Sequence, residues 1–148
     1  MGEVYVRQSI KKAILIIDVI MKNSSSTVNV ASINLEHIYP QKPDSQWATE
    51  NWPTSLDEQK ELIENIGNYI LLNEEVNKRI KNKYIDYKVV EYNRIIPQDL
   101  SLGTVMNTVD FDRFKNERKN YILERQKRIT ELVYNNFKLA QVIIQRSN

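Results

Sequence analysis

Two stretches decide how this chain is read: Leu35-Glu36-His37-Ile38-Tyr39-Pro40-Gln41, and Ile66-Gly67-Asn68-Tyr69-Ile70-Leu71-Leu72-Asn73-Glu74-Glu75-Val76-Asn77. In the second, Tyr69 to Leu72 reads as a short strand. A helix is expected to begin near Asn73, where Glu74 and Glu75 in the first turn complement its dipole. In the first, Val28 to Ile38 is β-branched and partly alternating, which predicts another strand, ended by Pro40 and Pro43. The pattern is strand, long excursion, strand, helix. An excursion that long inside a compact domain tends to carry function or structure of its own.

Helices are expected on both sides of this unit. Val6, Ile10, Ala13, Ile14, Ile17 and Met21 keep helical spacing and predict a helix over about 5–22, broken by the polar Asn23 to Thr27. Residues 41–55 read as a polar loop packed by Trp47 and Trp52. Ser55 followed by Glu58 is a capping box for a short acidic helix over about 56–65, with Gly67 closing it. Residues 84–95 are helical and stop before Pro97, and a loop containing Gly103 runs to Val109. Asp110 or a neighbour caps the last helix, whose apolar positions Phe114, Tyr121, Ile122, Ile129, Leu132, Val133 and Phe137 keep three- and four-residue steps. Arg118 and Arg125 fall on or beside that face, where an arginine is more often a packed structural ion pair than a ligand contact. The fold expected is α+β and mostly helical, a single domain spanning 1–148.

Composition narrows the chemistry. A chain of 148 residues suits one domain and buries a core without staples. With no Cys, disulfides, thiolate zinc sites, iron–sulfur clusters and thiol nucleophiles are excluded. A single His excludes two-histidine ribonuclease and three-histidine zinc sites. None of the three Gly falls in a phosphate-binding loop motif. Any active site must be built from one imidazole, carboxylates, amides and hydroxyls. Lys11-Lys12 followed by Ala13 to Met21 has only a faint signal-peptide outline, since the run holds Asp18 and lacks a cleavage site. It is also short of the ~20 residues that span a bilayer. A cytoplasmic protein with no membrane contact is expected.

The net charge of +2 is unevenly placed. Residues 36–75 carry −7 and residues 76–148 carry +7. The switch opens with Lys78, Arg79, Lys81 and Lys83, and Lys88 follows. Such a run suits phosphate contact, and it also suits a solvated helix face. Asn is the commonest outlier, with sixteen residues, alongside many Ile and Lys, a bias that an AT-rich genome produces.

The two opening stretches together resemble the two halves of the HNH nuclease motif. The first matches its histidine strand, with an acidic residue before His37 and Pro40 three residues after. The second is similar to the HNH-type C-terminal domain of the GmrSD restriction endonucleases, in Gly67-Asn68, Leu71-Leu72-Asn73 and Asn77. Asn82-Lys83, Lys88, Ile122 and Arg125 continue the likeness, which runs from about residue 5 to 137. Asn77 stands where the motif's last His would be, and Tyr69-Ile70 replace the more usual Leu-Thr. The resemblance implies a ββα-metal core over about 28–82, flanked by the helix over 5–22 and by C-terminal helices over 84–145. It implies the C-terminal part of a larger protein, with a nucleotide-hydrolysing domain or partner subunit ahead of it. The activity implied is metal-dependent DNA cleavage in a restriction, phage-defence system.

Under that resemblance each residue type has a task. His37 is the general base for water, an imidazole titrating near neutrality. Asn68 orients His37 or pins the loop between the strands. Glu36 and Asn77 hold one divalent cation through oxygen, Mg²⁺ or Mn²⁺. A regular strand sends Glu36 and His37 to opposite faces, so both serve one site only if the strand bends or ends there. Asn73 is an alternative ligand or the helix N-cap. Lys78, Lys81, Lys83 and Lys88 contact the DNA backbone. The acidic stretch before Val76 faces away from the duplex or meets a partner domain. The competing reading is a non-catalytic helical DNA-binding or protein-interaction domain that keeps the HNH shape.

Overall fold

A computed structural model of the chain describes residues 8–16, 33–43, 45, 47, 52–80, 83–95 and 109–147. It is mostly helical with one small antiparallel sheet, an α+β arrangement. Helix α1 covers 8–16. Strand β1 (Ile33–His37), α2 (Leu56–Ile63), a 3-10 turn (Ile66–Asn68) and β2 (Tyr69–Asn73) follow, and then α3 (Glu74–Ile80), α4 (Ile85–Ile95), α5 (Phe111–Asn116) and α6 (Arg118–Ser147). Both opening strands and the helix after them are present in the expected order. Among the described residues no helix is long and apolar enough to cross a membrane. The outer parts of the expected first helix and first strand, the Asn23 to Thr27 break, the Pro97 loop and Lys81 lie outside the described residues.

The sheet explains why β2 reads as an unbroken apolar run. β1 and β2 pair antiparallel, with Ile33 opposite Asn73 and His37 opposite Tyr69. Ile70 and Leu72 face one core with Ile38, Trp47, Trp52, Phe114 and Ile122, all buried. Tyr69 and Leu71 face a second core with Leu15, Ile16, Ile33 and Ile129. A hairpin covered on both sides has no polar face to alternate with. The loop after β1 is packed by its aromatics as expected, with the Tyr39 ring 5.0 Å from Trp47 and 4.5 Å from Trp52.

Three local expectations are corrected. Ser55 does cap α2, accepting from Glu58 N at 3.4 Å, while the Glu58 carboxylate bonds Lys119 of α6. Gly67 does not close α2. Glu64 ends that helix in an ordinary right-handed conformation. Gly67 is needed instead for close approach, because a Cβ there would lie 2.0 Å from the Ile122 carbonyl oxygen of α6. Gly67→Ala is therefore expected to cost about 3 kcal/mol through overpacking, read from urea denaturation. A variant as stable as the parent would mean that α6 docks elsewhere. Finally, the single last helix is two. Asp110 caps α5 by accepting from Arg113 N at 3.1 Å, and Glu117 (φ −130°, ψ 39°) breaks the run before α6.

The two arginines of that region are structural in placement. Both are buried. The Arg118 guanidinium lies 4.7 Å from the Tyr39 ring and 5.2 Å from Trp52, in cation–π range. Arg125 donates to the carbonyls of Gly67, at 2.9 Å, and of Tyr69. It thereby ties α6 to the turn that launches β2.

Candidate functional site

β1 stays regular through His37, so Glu36 and His37 do point to opposite faces. The chemistry divides accordingly into two clusters on the two sides of the strand end.

On one side, His37 Nε2 lies 3.2 Å from Glu64 Oε1. Glu64 comes from the C-terminal end of α2, and the 3-10 turn carries the chain from there to Tyr69, the cross-strand partner of His37. The Tyr69 hydroxyl donates to Glu64 Oε2 at 2.6 Å, and Gln41 Nε2 donates to Oε1 at 3.0 Å. The Tyr69 and His37 rings sit with centroids 4.4 Å apart. Lys11 of α1 donates to the Glu64 carbonyl oxygen, and its ammonium lies 3.9 Å from Glu64 Oε2. Lys11 and Glu64 also line an open cleft of about 760 Å³, together with Lys60, Asn65, Gln126 and Thr130.

Burial lowers the His37 pKa from its ordinary 6.5, and Glu64 opposes this without overcoming it. For Glu64, burial pushes the carboxyl up. The hydrogen bonds from Tyr69 and Gln41 and the neighbouring His37 outweigh it, and the group sits below the usual carboxylate range. Burial and the Glu64 carboxylate push the Tyr69 hydroxyl well up, so it remains a donor. The two shifts favour a neutral imidazole against an ionised carboxylate.

On the other side, Glu36 is buried with Lys88 of α4. Lys88 Nζ donates to Glu36 Oε1 at 2.8 Å, to the His37 carbonyl at 2.9 Å and to the Ile38 carbonyl at 3.0 Å. Lys88 is 0% exposed. Its expected contact with a DNA phosphate is therefore corrected. The ammonium spends all three donors inside the fold.

The other expected residues are placed as follows. Asn68 is fully buried and pins the loop rather than orienting His37. Its Oδ1 accepts from Tyr39 N at 2.8 Å, and its Nδ2 donates to Tyr39 O at 3.0 Å and Ile63 O at 2.9 Å. The hydrogen bond from Ile38 N to Asn68 O continues the same seam. Asn77 lines a shallow recess with Gln8, Ser9, Lys12, Asn34 and Leu35. Asn73 stands at the N-cap position of α3, and its side chain lies outside the described residues. Lys78 and Lys83 are exposed. Lys78 pairs with Glu74 at 2.9 Å, and Lys83 lies 5.7 Å from the Tyr87 ring.

The pair expected to hold a cation does not fit one as arranged. The Glu36 carboxylate is already neutralised by an ammonium at 2.8 Å. Asn77 opens into a different set of neighbours. A divalent ion on Glu36 would meet Lys88 at contact distance, two cations against one carboxylate. Among the described residues no cluster of three or more His, Cys, Asp or Glu side chains is arranged for a metal.

The acidic stretch holds the residue that sequence reading missed. It is expected to face away from the duplex or to meet a partner domain, and it supplies Glu64 to the His37 cluster. The available signal was positional: Glu64 stands five residues before Tyr69, and Tyr69 pairs with His37 once the strands are in register.

A family model described as GmrSD restriction endonucleases, C-terminal domain, matches residues 2–143. No curated protein and no solved structure matches the chain at a significant level.

Proposed function

We propose, from the premise that the chain belongs to the family of GmrSD restriction endonuclease C-terminal domains, that it is an HNH-type DNA endonuclease with His37 as general base. The observation that carries this is the register of the hairpin. It sets His37 opposite Tyr69 at the end of β1, and His37 lies beside Glu64, which lines the open cleft. β2 runs directly into α3, as the second strand of a ββα unit would, with α2 and the 3-10 turn inserted between the strands.

In the proposed reaction His37 takes a proton from water as the water oxygen attacks phosphorus. The bond from phosphorus to the 3′ oxygen breaks, and that oxygen takes a proton from solvent. A 5′-phosphate and a 3′-hydroxyl result. Exposed Lys78 and Lys83 hold the phosphate backbone through sequence-independent contacts. A nucleotide-hydrolysing domain or subunit would couple recognition to cutting. The resemblance also brings one divalent cation, Mg²⁺ or Mn²⁺, to neutralise the phosphate. Because Glu36 is held by Lys88, no step here passes through that ion.

The test is conversion of supercoiled plasmid to nicked and linear forms, with Mg²⁺, with Mn²⁺ and with chelator. Cutting in any of these supports the reading. Cutting that needs the ion supports the divalent cation that the resemblance brings. A folded chain that leaves several unmodified and base-modified DNAs intact under all three conditions overturns it. That result would favour the second reading, a non-catalytic DNA-binding or interaction domain, which the occupied Glu36 also fits.

The lysine contacts carry their own prediction. Replacing both Lys78 and Lys83 by Ala is expected to weaken DNA binding for all sequences alike. The slope of log K against log salt should fall by about 2. An unchanged slope in fluorescence-anisotropy titrations would remove them from the interface.

A further inference from the structure

We infer that Glu64 is the positioning residue of His37: its carboxylate accepts the Nε2–H, fixes the imidazole in one tautomer and leaves Nδ1 as the proton acceptor. This deepens the nuclease reading and rests on it.

The argument starts from donors and acceptors. A neutral imidazole has one N–H and one lone pair, and an ionised carboxylate only accepts. At 3.2 Å from Glu64 Oε1, His37 Nε2 must carry the hydrogen. Among the described residues Nδ1 has no partner, so its lone pair remains for a water. Glu64 is itself held in place. Tyr69 bonds Oε2 at 2.6 Å and Gln41 bonds Oε1 at 3.0 Å. Lys11 holds its carbonyl oxygen. The charged groups facing the imidazole are Glu64, Lys88 and Lys11. A base fixed by an orienting carboxylate is a recurring way to hold one tautomer in place.

The chain has a single His, so histidine labelled with ¹⁵N reports one imidazole without ambiguity. In the full chain, long-range ¹H–¹⁵N spectra at pH 7.5 should show the Nε2–H tautomer. Glu64→Gln keeps the shape, and with Gln41 turned to present its oxygen the new amide nitrogen donates to Nε2, which moves the proton to Nδ1. The imidazole signals should then exchange positions. Cleavage should fall by about 10²-fold in kcat, with KM within about twofold of the parent. Gln41→Ala, on an exposed loop, gives a smaller fall in kcat without endangering the fold.

A wild-type Nδ1–H tautomer overturns the inference. So does a folded Glu64→Gln chain whose tautomer and kcat match the parent. A wild-type chain that leaves DNA intact, yet whose tautomer exchanges in Glu64→Gln, overturns the nuclease reading and supports the pairing of Glu64 with His37.

Discussion

Plasmid cleavage by the His37→Ala variant is expected to fall by about 10²–10⁴-fold, the range that a positioned general base contributes. The loss should appear in kcat, because the imidazole acts on the attacking water and not on the DNA backbone. The variant should still fold, since the ring lost is a partly exposed one at a strand end, tilted against Tyr69 with centroids 4.4 Å apart. Such a ring contact contributes about 1 kcal/mol. Acidity gives a second readout. Burial, opposed by Glu64, holds the His37 pKa below 6.5, so the base stays unprotonated through neutrality. The acid limb of kcat/KM should therefore lie below pH 6.5 and vanish with the side chain.

The same shift governs stability. An unfolded chain protonates its imidazole near the ordinary value, while the folded chain resists until lower pH. The unfolded state then binds more protons, and the fold loses stability as pH falls through 6.5. Urea midpoints of wild type should drop between pH 7.5 and 5.5 by more than those of His37→Ala. Cleavage that survives the substitution would remove His37 as the base.

The sequence made the hairpin legible for a definite reason. β2 is apolar on both faces and is bounded by Gly67-Asn68 and by the acidic first turn of α3, so its limits stand out locally. β1 ends at His37 because Ile38 turns to follow the Asn68 pin and Pro40 stops the pairing. The Trp47 and Trp52 loop was readable because two indoles in a polar stretch need a core to enter. The site was less legible. Glu64, Tyr69 and Gln41 meet His37 only once the strand register is set, and register is a tertiary property. Lys88 looked like one more member of a basic run. Its burial depends on α4 lying across the end of β1, and no local pattern encodes that. Gly67 was misread for a similar reason. As a helix stop it needed only its own sequence, whereas its actual task is to let the Ile122 carbonyl of a distant helix come close.

Lys88→Met is expected to give the largest stability loss in the molecule, about 3–5 kcal/mol, the usual result of removing one partner of a buried ion pair. Met fills much of the lysine volume, so the loss is not mainly a cavity effect. It arises because the ammonium is the point on which the Glu36 carboxylate and the carbonyls of His37 and Ile38 converge. Without it, three acceptors face one another across an apolar side chain. Burial already pushes the Glu36 carboxyl up, against the pull of Lys88, and pushes the Lys88 ammonium down, against the pull of Glu36. With Lys88 gone, Glu36 relieves the clash by taking a proton, and its folded pKa rises further above its unfolded value. The variant's stability then falls as pH rises through that raised pKa, so its deficit against wild type should be smaller at pH 5 than at pH 8. Glu36→Gln in the same background offers an N–H to the orphaned carbonyls. It should recover part of the loss, with a coupling of about 2 kcal/mol in the double-mutant cycle. Because Lys88 binds the backbone of His37 itself, cleavage by Lys88→Met should fall further than its folded fraction explains. A Lys88→Met chain with parental stability at pH 8 would mean that α4 does not close over the end of β1. Glu36 would then be free to meet a cation.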